Sequence, residues 1–141
     1  MWDKILKAAA AVAGAVAGFL GGWHAILTVL LVAMAVDYVS GLMVAMVGRS
    51  PKTETGGLNS KIGFVGLAKK GMICLVVLTA TLLDKAVGNA SSVFQMAVCC
   101  FYIANEGVSI LENAALIGLP VPNVIKKALD DLKQKGEDSD A

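Results

Sequence analysis

Charge is missing from most of this chain. Residues 8–23 carry none, residues 24–48 carry only Asp37, residues 71–83 carry none, and residues 86–118 carry only Glu106 and Glu112. A single core in a chain of 141 residues has no room for that much apolar surface. A bilayer does, because each crossing helix needs roughly 20 mainly apolar residues. The expectation is an all-α, polytopic membrane protein whose function lies in the few polar groups set among apolar ones.

Composition agrees. Hydrophobic residues make up 57% and the mean hydropathy is +0.72, against an ordinary apolar share of roughly 45–50%. Charged residues are 16%, where about 25% is usual. A net charge of +1 gives no bulk attraction to nucleic acid, and none is expected as a partner. Cys74, Cys99 and Cys100 sit in apolar runs without ligand-like spacing, where Cys acts as a small hydrophobe. No metal, cofactor or catalytic residue is expected. Lys4 and Lys7 before an apolar run also resemble the start of a signal peptide. Ala9 to Gly18 lacks a leucine-rich stretch and further apolar segments follow, so the segment is expected to be retained.

The apolar runs predict four helices, at about residues 5–22, 25–48, 67–88 and 93–118. They form a transmembrane domain over 1–118, with a polar loop at 49–66 broken by Pro51 and Gly56-Gly57. Gly21-Gly22 permits a tight turn, and Trp23 suits a membrane interface. Eleven of the 12 basic residues lie around the start of helix one, from the end of helix two to the start of helix three, or after helix four. The middle group is Arg49, Lys52, Lys61, Lys69 and Lys70. The positive-inside rule then puts both termini and that basic loop in the cytoplasm, and the protein in a bacterial cytoplasmic membrane. Three spans remain the alternative if helix one lies on the surface. Residues 119–141 are expected to form a cytoplasmic segment. Val124, Ile125, Ala128, Leu129 and Leu132 share one helical face, and the GEDSDA end is polar and expected to be disordered.

Helix four carries the sharpest signal. At about 100° per residue, Asn105, Glu106, Ser109, Glu112 and Asn113 share an arc of about 120°. A carboxylate facing lipid is disfavoured by a few kcal/mol on insertion scales, roughly 3, so this stripe must face protein, water or a lumen. It reads as an internal seam, as a contact between subunits, or as a water-lined path. A catalytic carboxylate pair is the weakest reading, since no His or metal set accompanies it. Asp37, midway along helix two, is a second intramembrane acid and a candidate member of the same seam. Gly14, Gly18 and Gly22 repeat at four-residue spacing in helix one. Such a ridge serves close helix packing, either between copies or within one chain. His24, the one histidine, reads as a solvated interface residue. Lys69-Lys70 beside Gly63, Gly66 and Gly71 matches no P-loop spacing; lysines that snorkel at a helix end explain it.

Several runs resemble a known family. These are Asp37-Tyr38-Val39-Ser40-Gly41; Asn59-Ser60-Lys61-Ile62-Gly63-Phe64 with Gly66-Leu67-Ala68-Lys69-Lys70; Phe101 to Asn113, reading FYIANEGVSILEN; and Gly118-Leu119-Pro120-Val121-Pro122. Together, over about residues 30–135, the chain resembles the toxin-secretion/phage-lysis holins. The resemblance implies a phage-encoded, non-enzymatic protein of the host cytoplasmic membrane. Such proteins oligomerise with themselves and open timed lesions that release a separately encoded endolysin, or in some relatives a toxin. The residues alone leave two rivals: a small ion or proton channel or transporter relaying through Asp37, Glu106 and Glu112, and a membrane scaffold acting through its tail. A transporter is expected to carry internal repeats, and none is evident.

Overall fold

The computed structural model describes residues 1–20 and 22–140, the side chains of residues 138–140 excepted. Five helices follow one another: α1 (Trp2–Phe19), α2 (Ala25–Met46), α3 (Ser60–Ala86), α4 (Val93–Ile117) and α5 (Asn123–Asp140). No strand occurs among the described residues. Gly21, half of the expected glycine turn, lies outside them; Gly22 adopts the positive φ of 98° that a turn there needs.

Three described helices, α2, α3 and α4, are long and apolar enough to cross a membrane. α1 is not among them, because its 18 residues include Asp3, Lys4 and Lys7. None of the residues of α1 is buried. It meets the bundle only near its end, where Val16 borders an apolar groove formed with Leu20, Trp23, Leu27, Leu30, Leu31, Cys74, Val77 and Leu78. Phe19 there lies 4.2 Å below the Lys85 ammonium.

α4 is the hub, packing against α2, α3 and α5, while α2 and α3 barely touch each other. The buried positions of α2 are Leu27, Leu30, Met34, Val44 and Ala45. They recur at helical spacing and form the one stripe turned toward α4. Val29, Val32, Val36, Val39 and Met43 of α2 are apolar and outward, as are Met72, Leu75, Leu82 and Leu83 of α3, which suits a lipid contact. The apolar core gathers Leu20, Leu27, Leu30, Met34, Val77 and Cys99 in the half of the bundle away from the 47–59 loop.

α3 begins seven residues before its sequence-based start. The Asn59 side-chain oxygen accepts from the backbone N–H of Lys61 at 3.0 Å and of Ile62 at 3.2 Å, and this N-cap carries the helix back through residues 60–66. Lys61, Lys69 and Lys70 therefore lie on α3; of the basic group assigned to the loop, only Arg49 and Lys52 are in it. Tyr38 crosses to α3 against Gly63 and Gly66, and its hydroxyl donates to the Gly63 carbonyl at 3.4 Å.

α5 runs to Asp140, so the polar end expected to be disordered is helical as far as the described residues go. It folds back along α4: Leu129 lies against Gly107, and Gly136 against the backbone of Ala97 and Phe101. The Lys133 ammonium stands 5.6 Å from the Phe101 ring.

Candidate functional site

The fold brings one lysine between two of the expected carboxylates. Lys70 on α3 donates to Asp37 on α2 and to Glu106 on α4, both at 2.7 Å. Each helix supplies one charge, and the three side chains are only 17%, 12% and 8% exposed. At about 1.5 Å per residue, Asp37 sits about 14 Å from the loop-side end of α2, Lys70 about 15 Å from that of α3, and Glu106 about 17 Å from that of α4. The triad is thus level across the three helices, near the middle of a hydrocarbon layer roughly 30 Å thick.

Asn113 completes the tie between α2 and α4. Its amide donates to the Ser40 hydroxyl at 2.8 Å, to the Asp37 carboxylate at 3.3 Å and to the Asp37 carbonyl at 3.4 Å. The Ser40 hydroxyl in turn donates to that carbonyl at 2.9 Å. Gly41 lies against Asn113, a Cβ there standing at ordinary contact distance, 3.9 Å, from its amide nitrogen. No buried side-chain nitrogen or oxygen among the described residues lacks a partner. The site therefore meets the requirement that polar groups removed from water be hydrogen-bonded.

Below the triad, on the loop side, a cavity of about 380 Å³ opens. Asn105, Ser109 and Glu112 line it together with Tyr38, Lys52 and Lys69. The helix-four stripe is therefore split. Its Glu106 and Asn113 edge is buried between helices, and Glu112, at the other edge, is exposed. The cavity roof is the 47–59 loop, held by two features. The Arg49 guanidinium donates to the Leu116 and Ile117 carbonyls at 3.3 and 3.4 Å, satisfying the end of α4. Gly56, at φ 77°, passes so close to Gly48 that a Cβ would lie 2.2 Å from its carbonyl oxygen.

A second polar cluster at the opposite end has no counterpart in the sequence reading. Asp84 accepts from the backbone N–H of Phe94 at 2.9 Å and of Gln95 at 2.8 Å, and from the Asn89 amide at 3.2 Å. It thus caps α4 from another helix. Gln95, 1% exposed, donates to the Thr81 hydroxyl and to the Leu20 carbonyl, which ties the end of α1 to α3 and α4. The available signal was a polar set, Thr81, Asp84 and Gln95, flanking the Gly88-Asn89-Ala90-Ser91-Ser92 turn. Gly14 and Gly18 face open space, with nothing within 4 Å of a Cβ at either, so the ridge is not used for packing inside this chain. Among the described residues no group of His, Cys, Asp and Glu is arranged to hold a metal ion.

Comparison with known proteins places this arrangement. Residues 14–134 match the bacteriophage holin family. The chain belongs to that family. A probable holin of Bacillus phage phi105 is 33% identical over 126 residues, covering 86% of this chain and 87% of that protein. An uncharacterized protein of Halalkalibacterium halodurans is 39% identical over 136 residues, covering 93% and 96%. An uncharacterized 14.9 kDa protein of Clostridium perfringens is 40% identical over 115 residues, covering 82% of each. No solved structure matches the chain. Membership in the holin family, with three helices apolar enough to cross, makes this a multi-pass membrane protein. The triad then lies on its spanning helices.

Proposed function

We propose that this holin-family protein gathers with copies of itself in the cytoplasmic membrane of a bacterial host. There it opens a lesion through which a separately encoded endolysin, or a toxin, leaves the cell. It acts without catalysis. The observation that carries the reading is the Asp37–Lys70–Glu106 triad: a polar face on the spanning helices that is satisfied inside one chain. Such spanning helices are tolerated in lipid while copies are few, since the charges at their middle are paired and the outer faces of α2 and α3 are apolar. Asn105, Ser109 and Glu112 line a cavity on that face that Asp37, Glu106 and Asn113 also border, and all six would form a wetted wall if α2, α3 and α4 drew apart. Gly14 and Gly18, unused within the chain, are free to serve a contact between copies.

The loop with Arg49 and Lys52, the adjoining Lys61 and the tail lysines face the cytoplasm by the positive-inside rule. Lys4 and Lys7 put the N-terminus there too, which makes α1 a fourth crossing. Reporter fusions at each terminus test this. An external signal from the C-terminus refutes the orientation, and one from the N-terminus alone leaves three crossings. A small ion channel relaying through Asp37 and Glu106 is the second reading, favoured by the cavity that reaches them from the loop side. Induced expression in a bacterium separates the two. Loss of membrane potential together with release of a co-expressed endolysin is expected; loss of potential with the enzyme retained supports the channel instead.

A further inference from the structure

The docked position of α5 conflicts with the place of α4. α5 lies antiparallel along α4, from Leu129 at Gly107 to Gly136 at Ala97 and Phe101, beside the middle of a helix apolar enough to span. The contact is close. A Cβ on Gly107 would stand 2.7 Å from a Leu129 methyl, and one on Gly136 would stand 2.8 Å from the Ala97 carbonyl oxygen. The face of α4 that is covered bears Ala97, Phe101 and Gly107. At about 100° per residue it is opposite to the face of Gln95, Glu106 and Asn113 that meets α2 and α3. The outer surface of α5 exposes Lys126, Lys127, Asp130, Asp131 and Glu137. With α4 across a bilayer, these charges would be carried into hydrocarbon beside it, where no partner helix shields them and each is strongly disfavoured.

We infer that α5 is a removable cover on α4, docked while α4 is outside hydrocarbon and released to the membrane surface when α4 crosses. Docking and crossing then exclude each other, so a contact inside the chain opposes insertion of its own spanning helix. Release bares the Gly107 face to the membrane interior. The inference rests on α4 being a span, but not on lesion formation.

The test uses the full chain with Cys74, Cys99 and Cys100 replaced by alanine and the pair Gly107→Cys with Leu129→Cys. These positions are close enough in the docked form for a disulfide. The chain is made by cell-free synthesis without lipid, or with phosphatidylglycerol/phosphatidylethanolamine liposomes, and oxidised mildly. The intramolecular disulfide is expected in lipid-free protein and at least tenfold less in the liposome fraction that resists carbonate extraction. Protein locked by the disulfide before liposomes are added should stay extractable, and reduction should restore integration. A disulfide between the Gly107→Cys positions of two copies in the membrane fraction also supports release, because it needs the face uncovered. Equal intramolecular crosslinking in the integrated fraction overturns the inference, as does integration of the locked chain, or absence of the disulfide without lipid. If the reduced chain never resists carbonate, the assignment of α2, α3 and α4 together as spans has failed, and the inference falls with it. Gly107→Leu gives a second route. Its side chain would collide with Leu129, so a protease should cut α5 several-fold faster in lipid-free protein than in wild type; an unchanged rate counts against docking.

Discussion

Lys70→Met removes the one cation that two carboxylates share. The side chains of the triad are 8–17% exposed, so the figure for a broken buried ion pair applies, about 3–5 kcal/mol, and not the fraction of a kcal/mol of a surface pair. A second route gives a similar size. Two charge-assisted bonds at 2.7 Å are lost, at about 1.5–3 kcal/mol each. At about 1.4 kcal/mol per tenfold, the unfolding equilibrium should move by two to nearly four powers of ten. Reversible unfolding in detergent micelles, followed by helical circular dichroism, measures it. The sharper comparison is the triple variant Lys70→Met, Asp37→Asn, Glu106→Gln. It removes the charges together, and replacing a whole buried ionic group is often close to neutral, so most of the lost stability should return. A Lys70→Met protein within about 0.5 kcal/mol of wild type, the level of an ordinary surface change, would refute the tie. A triple variant as unstable as the single one would show that the lysine acts by its shape and not its charge.

Glu106→Gln leaves Lys70 with one carboxylate and should destabilise by about 1.5–3 kcal/mol. Glu112→Gln, at an exposed position, should stay within about 0.5 kcal/mol; the same micelle titration compares them. Asp84→Ala strips the acceptor from two backbone N–H groups at the start of α4 and should lower stability by about 1–3 kcal/mol, with hydrogen exchange rising first at Phe94 and Gln95. Gly56→Ala combines a positive φ of 77° with a Cβ 2.2 Å from the Gly48 carbonyl oxygen. It should open the 47–59 loop, read as faster proteolysis there, with circular dichroism of the spans unchanged.

The apolar runs made the helical class and α2, α3 and α4 legible, because hydrocarbon length and charge exclusion act on composition alone. The stripe on α4 was legible for the same reason: five polar residues within an arc of about 120° leave few places to point. Its internal division was not legible. Glu106 and Glu112 are the same residue type on the same helix, and only the position of α3 decides that one is buried and the other exposed. That position depended on a local detail, the Asn59 cap, which lengthens α3 and carries Lys70 from a helix end into the bundle. Read as an end residue, Lys70 snorkels; two turns further in, it has nowhere to go except to an acid. Asp84 escaped for a related reason. A carboxylate near the end of an apolar run looks solvated until a neighbouring helix presents its unsatisfied N–H groups to it. Both cases concern charge matched between separate helices, which the periodicity of one helix does not contain. They also explain how a chain with so few charges settles on one packing of its apolar helices. Lipid accepts any apolar face, so apolar surface alone says little about register. A lysine that must reach two acids at 2.7 Å, and an acid that must meet one helix terminus, set the relative depth of the helices at the middle and at one end of the bundle.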